Sequence, residues 1–167
     1  MTIIGIDPGY AIVGWGVIEY INLRFKTLDY GAITTPARVD FPSRLRMIYE
    51  KLLKILKVYR PSEMAIEKLF FSQNKTTGID VAQARGVILL CARQNNLNVF
   101  EYTPIQVKQS VVGYGRAEKK QVMEMTKRLL KLKEIPKPDD TADALAIAIA
   151  HAHSCSSRFI KLFKEKK

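Results

Sequence analysis

The sequence is poor in the residues that make covalent staples and soft-metal sites. It holds two cysteines, Cys91 and Cys155, and two histidines, His151 and His153. The cysteines are far apart, lack metal-ligand spacing and define no disulfide framework, so a reducing, cytoplasmic setting is expected. No apolar run approaches the ~18 residues that a membrane span needs, and no basic-then-apolar leader opens the chain. Internal repeats and low-complexity tracts are missing as well. Acidic residues are scarce: 16 Asp and Glu stand against 27 Lys and Arg, a formal net charge of +11. Such an excess repels itself unless a polyanion compensates it. Nucleic acid is the commonest such partner, and an anionic membrane surface is the rival. What remains, 47% hydrophobic and 26% charged over 167 residues, is the composition of one soluble globular domain with a real core.

The chain is organised around its first stretch, Thr2 to Gly9 (TIIGIDPG). It reads as a buried strand that ends on a carboxylate and breaks into a Pro-Gly turn. A core strand tolerates Asp at its last position only where solvent, a metal or a phosphate reaches the strand's mouth. The bland alternative is an Asx-turn, in which Asp7 bonds its own backbone. Convergence of other carboxylates on the same point decides between the two.

Ala11–Tyr20 and Arg24–Thr34 read as two further strands joined through a turn at Asn22, giving an antiparallel meander with the Asp7 strand at its edge or centre. The period becomes helical over 41–59. Leu45, Ile48, Tyr49, Leu52, Leu53, Leu56 and Tyr59 make one stripe, and Arg44, Glu50, Lys51, Lys54 and Lys57 lie largely opposite. Met64–Glu67 is a short buried strand that again finishes on a carboxylate. A helical crossover makes it parallel to its predecessor, which puts Asp7 and Glu67 at one sheet edge.

Residues 68–77 read as a polar, flexible loop apart from Leu69, Phe70 and Phe71. The helix expected at 78–94 has almost no polar face, so it is buried either deep in the core or between the core and a second copy of the chain. Asn98–Tyr102 is a fifth strand. Thr103-Pro104 caps a short helix that carries Lys108, a basic helix follows over 117–132, and a last helix spans about 139–153. Residues 154–167 form a basic tail with little core-forming pattern, expected to be frayed or disordered. His151 and His153 do not share a face and read as partners of a helix C-terminus.

The last helix opens Asp139-Asp140-Thr141-Ala142-Asp143. Asp139 has a use as N-cap and Asp140 gains from the helix dipole. Asp143 has no capping role, and with Asp140 it puts two like charges on one face among Ala, Leu and Ile. That is costly unless a proton or cation neutralises them. Two strand-end acids and two helix acids can therefore form one acidic cluster in a basic protein. Hard oxygen ligands select Mg²⁺ or Mn²⁺. A divalent cation also explains an acidic pocket in a polyanion binder, because it reverses the sign the polyanion meets. Two such ions ~4 Å apart can activate water and stabilise the leaving oxygen of a phosphodiester. The residues alone thus predict a metal-dependent phosphodiesterase acting on nucleic acid.

The motifs also carry a resemblance. GIDPG at 5–9, AIE with LFF at 65–71, AQARGV at 82–87, YTPIQVK at 102–108, GYGRAEK at 113–119 and DTADALAIA at 140–148 together resemble the RuvC family of Holliday junction resolvases. The match runs from Thr2 to about His153 in family order. It implies an α/β, RNase H-like fold: a five-stranded mixed sheet flanked by helices, as a single nuclease domain over 1–153. It implies a homodimer that nicks two strands of a four-way DNA junction symmetrically, leaving 5′-phosphate and 3′-hydroxyl ends, with the RuvA–RuvB branch-migration complex as partner. The resemblance makes Asp7, Glu67, Asp140 and Asp143 catalytic metal ligands for Mg²⁺, two ions per site, with Mn²⁺ able to substitute. Phe70 matches an aromatic residue that stacks on an unpaired base, a contact worth roughly 1–3 kcal/mol. Lys108 and Lys119 match basic residues near the DNA. Lys120 joins them on its charge alone.

Rivals are an actin-like phosphotransferase half-domain, which also begins GIDPG, an inert junction- or RNA-binding module of the same fold, and an RNase H-like nuclease with another substrate such as RNA–DNA hybrid. The chain is short for two lobes and shows no second phosphate loop, which weighs against the first. The presence of all four acids weighs against the second.

Overall fold

The computed structural model describes the backbone of residues 1–69 and 75–164, and within these the side chains of 1–69 and 78–155. Three strands open it: β1 (Thr2–Asp7), β2 (Ile12–Ile21) and β3 (Arg24–Thr34). They pair antiparallel as the meander predicts. Asn22 and Leu23 both take positive φ between β2 and β3, the backbone of a tight hairpin turn. Then come α1 (Phe41–Tyr59), β4 (Glu63–Glu67), α2 (Lys75–Gln94) and β5 (Asn98–Tyr102). β4 pairs parallel with β1, and β5 pairs parallel with β4. The five-stranded order is β3-β2-β1-β4-β5, so β1 is the centre of the sheet, not its edge. Three helices complete the chain: α3 (Pro104–Val112), α4 (Lys119–Leu129) and α5 (Asp139–Lys164).

The sheet is covered on both faces. On one side Ile4, Ile6, Val13 and Val17 pack with Ile48, Leu52 and Leu56 of α1 and Ile88 of α2. On the other, Ile3 and Ile18 meet α5 through Leu145, Ile147 and Ile149, with Val107 of α3 and Val122 of α4. The period-2 alternation of β1 sends neighbouring isoleucines into different cores.

Local chemistry fixes the boundaries. Asp40 accepts a hydrogen bond from the Ser43 amide at the start of α1, and Thr103 and Gln106 form a reciprocal capping box at α3. α4 starts two residues later than the sequence suggests, because Glu118 takes the cap position and Gln121 closes a second box on its amide. α5 continues past His153 to Lys164, so its helical backbone extends through a stretch that reads as tail; Phe159 and Phe163 there stand one helical turn apart in sequence.

Arg44 departs from its place on the polar face of α1. It is 8% exposed, its Nε donates to Thr35 Oγ1 at 2.9 Å, and its guanidinium lies 4.7 Å from the centre of the Tyr10 ring. The Thr35 hydroxyl in turn donates to the Tyr10 carbonyl at 2.6 Å. A long stem and delocalised charge suit such a buried stack, which braces the turn following Asp7.

Candidate functional site

Asp7 and Glu67 are the last residues of adjacent parallel strands, in register through Ile6 and Ile66. Asp140 and Asp143 lie in the first turns of α5. That helix runs over β1 and β2 because three sheet positions are glycine. A Cβ at Gly5 would lie 2.0 Å from the Ala144 carbonyl oxygen, and one at Gly14 would lie 1.9 Å from that of Asp140; one at Gly16 would strike Leu145. Backbone-to-backbone contact of that closeness needs glycine. Since Gly14 is the cross-strand partner of Asp7, the close approach sets the helix acids beside the strand acids.

The charges feel one another. The Asp7 carboxyl is pushed from its ordinary 3.8 up to about 8, first by burial, then by Glu67, Asp143 and Asp140. Glu67 is raised too, chiefly by burial and then by Asp143. Lys119, at the N-terminus of α4, opposes this. Its Nζ is 2.9 Å from Asp143 Oδ2 and 3.7 Å from Asp139 Oδ2, and the hydrogen bond to Asp143 raises its own pKa. Among the described residues no three of these acids have oxygens that all lie within 4.8 Å of one another.

This donor set fits a hard divalent cation. It offers only carboxylate oxygen, is partly desolvated, and carries more negative charge than Lys119 offsets. Asp139 is set apart: Lys137 pairs with it at 2.9 Å and holds its carboxyl below the ordinary range.

A cleft of about 240 Å³ opens beside the acids, lined by Glu67, Asp143, Lys108, Lys119 and the apolar Val107 and Val122. Lys108 and Lys119 therefore line the same cleft as Glu67 and Asp143. Lys120 is exposed on α4 and does not line the cleft. Phe70 lies outside the described residues.

Sequence reasoning missed Arg85. Its Nε donates to the Glu67 carbonyl at 3.3 Å, while its guanidinium pairs with Glu101, fixing the end of β4 against β5. The motif AQARGV contains it, but nothing local marks that role. The histidines are also corrected. His151 is buried, not at a helix end, and its Nδ1 is 2.7 Å from the Tyr102 hydroxyl. His153 Nδ1 is 3.1 Å from the Ser110 carbonyl oxygen. Because α5 continues for a further three turns, neither histidine meets the negative end of its dipole.

α2 is not a wholly buried helix. Ala84, Ile88, Cys91 and Ala92 are buried, whereas Ile79 and Leu90 are 59% and 54% exposed. Gly86 lies on the open side, with nothing within 4 Å of an added Cβ. No helix among the described residues is long and apolar enough to cross a membrane.

The family described as "Crossover junction endodeoxyribonuclease RuvC" matches residues 3–151. Proteins of that name from Alkaliphilus oremlandii and Clostridioides difficile are 55% and 57% identical, over 99% and 92% of this chain and 100% and 91% of theirs. Among solved structures, Thermus thermophilus RuvC superposes with a TM-score of 0.87 at 34% identity, covering 94% of this chain and 96% of that one. The same protein in complex with Holliday junction substrate gives 0.86 at 32% identity, with the same coverage. The yeast mitochondrial Holliday junction resolvase Ydc2 shares the fold alone, with a TM-score of 0.64 at 15% identity over 96% of this chain and 85% of that one.

Proposed function

The chain belongs to the RuvC family of crossover junction endodeoxyribonucleases, and from that premise we propose that it resolves four-way DNA junctions by symmetric, metal-dependent nicking of two strands. The observation that carries this reading is the meeting of Asp7 and Glu67, from adjacent strand ends, with Asp140 and Asp143 on a helix seated against Gly14. These four carboxylates hold the metal, Mg²⁺ with Mn²⁺ as substitute and two ions per site. Bound there, the divalent cation supplies an activated water and positive charge on the leaving oxygen, giving 5′-phosphate and 3′-hydroxyl ends.

The protein's own groups do the rest. Arg85 and the parallel β1–β4 pairing fix the two strand-end acids before substrate arrives, so little reorganisation is left for the reaction itself. Lys119 and Lys108, on the wall of the cleft, meet the scissile phosphate and its neighbour. Lys120 adds a phosphate contact on the outer face, and Phe70 stacks on an unpaired base at the junction centre. Residues 1–153 act as one nuclease domain with 154–167 as an appended basic segment. The protein works in the cytoplasm alongside the RuvA–RuvB branch-migration complex.

Paired nicks need two sites. The open side of α2, with Ile79, Leu90 and the bare Gly86, supports a homodimer that buries this face and presents two acid clusters to one junction. The deciding experiment is cleavage of a synthetic four-way junction beside linear duplex and RNA–DNA hybrid, with Mg²⁺ and with EDTA. Paired symmetric nicks confined to the junction and to metal are expected. Cutting of duplex or hybrid would keep the acidic site and overturn the substrate.

A further inference from the structure

We propose that Glu63, His151 and Cys155 form a second metal site, for a borderline transition-metal ion of the Zn²⁺ class, at the end of β4 opposite Glu67. One nitrogen, one oxygen and one sulfur point at a common spot. His151 Nε2 is 2.5 Å from Glu63 Oε2 and 3.6 Å from Cys155 Sγ, and the sulfur is 3.9 Å from the same carboxylate oxygen. Within the described residues this is the one group of metal-ligating side chains whose donor atoms all lie within 4.8 Å of each other.

The spacings match what coordination demands. Tetrahedral zinc with its usual bond lengths sets nitrogen and sulfur about 3.6 Å apart, and nitrogen and oxygen about 3.4 Å apart. The sulfur is already placed. The Glu63 oxygen must retreat by about 0.9 Å, which its partly exposed side chain achieves by turning the carboxylate. His151 and Cys155 stand four residues apart on α5, so one helix face carries both. Cysteine spacing along the chain conceals this, because the third ligand comes from a distant strand.

The surroundings are those of a metal-bound imidazole. The Tyr102 hydroxyl, 2.7 Å from Nδ1, can accept a proton from that nitrogen, the usual outer partner of a ligating histidine, so that a cation takes the place of the proton now shared between Nε2 and Glu63. Phe100 packs on the ring at 4.5 Å between centroids and fixes its plane. Imidazole with thiolate selects Zn²⁺ and its neighbours over Mg²⁺, so the site is chemically separate from the four-acid cluster. Binding releases the thiol proton. It also ties α5 to β4, the two elements that carry Glu67, Asp140 and Asp143.

The test is titration of the full-length, chelator-treated protein with Co²⁺, followed by displacement with Zn²⁺. The expected result is a thiolate-to-cobalt charge-transfer band saturating at one equivalent. The band is retained in Asp7→Asn and Cys91→Ser and lost in Cys155→Ser. Tyr102→Phe weakens binding by about 10–100-fold. Alkylation of the unmodified protein, mapped by mass spectrometry, gives an independent readout: Zn²⁺ should protect Cys155. No charge-transfer band, a band that survives Cys155→Ser, or alkylation of Cys155 indifferent to Zn²⁺ would each overturn the site.

Discussion

Gly14 and Asp140 touch backbone to backbone: a Cβ on Gly14 would sit 1.9 Å from the Asp140 carbonyl oxygen. Through this contact the first turn of α5 rests on the strand that pairs with Asp7. The acid cluster is therefore held together by a missing side chain. Gly14→Ala should lift the start of α5, costing about 1–3 kcal/mol of stability as an overpacked contact and a larger fraction of cleavage than of junction binding. Denaturant melts beside cleavage and gel-shift assays measure all three; an alanine variant with full turnover would show that the close approach is irrelevant to the site.

Asp7→Asn should abolish cleavage while leaving junction affinity unchanged or tighter. On the proposed function the substitution removes a metal-binding oxygen and also a charge that repels phosphate. Normal turnover of this variant in Mg²⁺ would exclude Asp7 from the site.

The Asp7 carboxyl, raised to about 8, predicts an unusual pH dependence. Between its ordinary 3.8 and about 8 the folded, metal-free protein retains a proton that the unfolded chain has lost. This contribution to stability is complete below the ordinary carboxylate pKa and disappears as pH rises through about 8. Thermal midpoints of metal-free protein should therefore carry a component that falls with pH over this window, absent in Asp7→Asn. Metal must displace the same proton, so cleavage at subsaturating Mg²⁺ should rise about tenfold per pH unit and level off near 8. A flat profile in both assays would refute the coupling.

The net charge of +11 should act through counterion release. Junction affinity measured between low and moderate salt should fall by orders of magnitude, linear in the logarithm of salt concentration. Charge-removing substitutions at Lys108, Lys119 or Lys120 should each reduce the slope by about one.

Leu90→Glu, on the open side of α2, should give a folded monomer by sedimentation that nicks junctions singly or not at all. A charge desolvated at the centre of a small apolar contact costs several kcal/mol. A dimer that persists would move the interface elsewhere on the molecule.

Much of the fold is legible in the sequence. β1, β3, α1 and β5 fall where period, β-branching and capping residues put them, since these are local signals. Glu67 at a parallel strand end follows from the right-handed crossover. Arg44 was misplaced because helical periodicity treats arginine as polar, whereas a guanidinium stacked on Tyr10 is satisfied inside. The α2 segment has almost no polar face, and sequence alone leaves open which part of such a surface meets the core.

The sequence by itself determined the order of elements, the candidate acids and the net charge of +11, because propensity, periodicity and charge are properties of neighbouring residues. Only the tertiary structure decided that β1 lies at the centre of the sheet, that Lys119 neutralises Asp143 and that His151 meets Glu63 and Cys155. Those meetings join residues far apart in the chain, and they depend on strand order and on the glycines that let α5 descend onto the sheet.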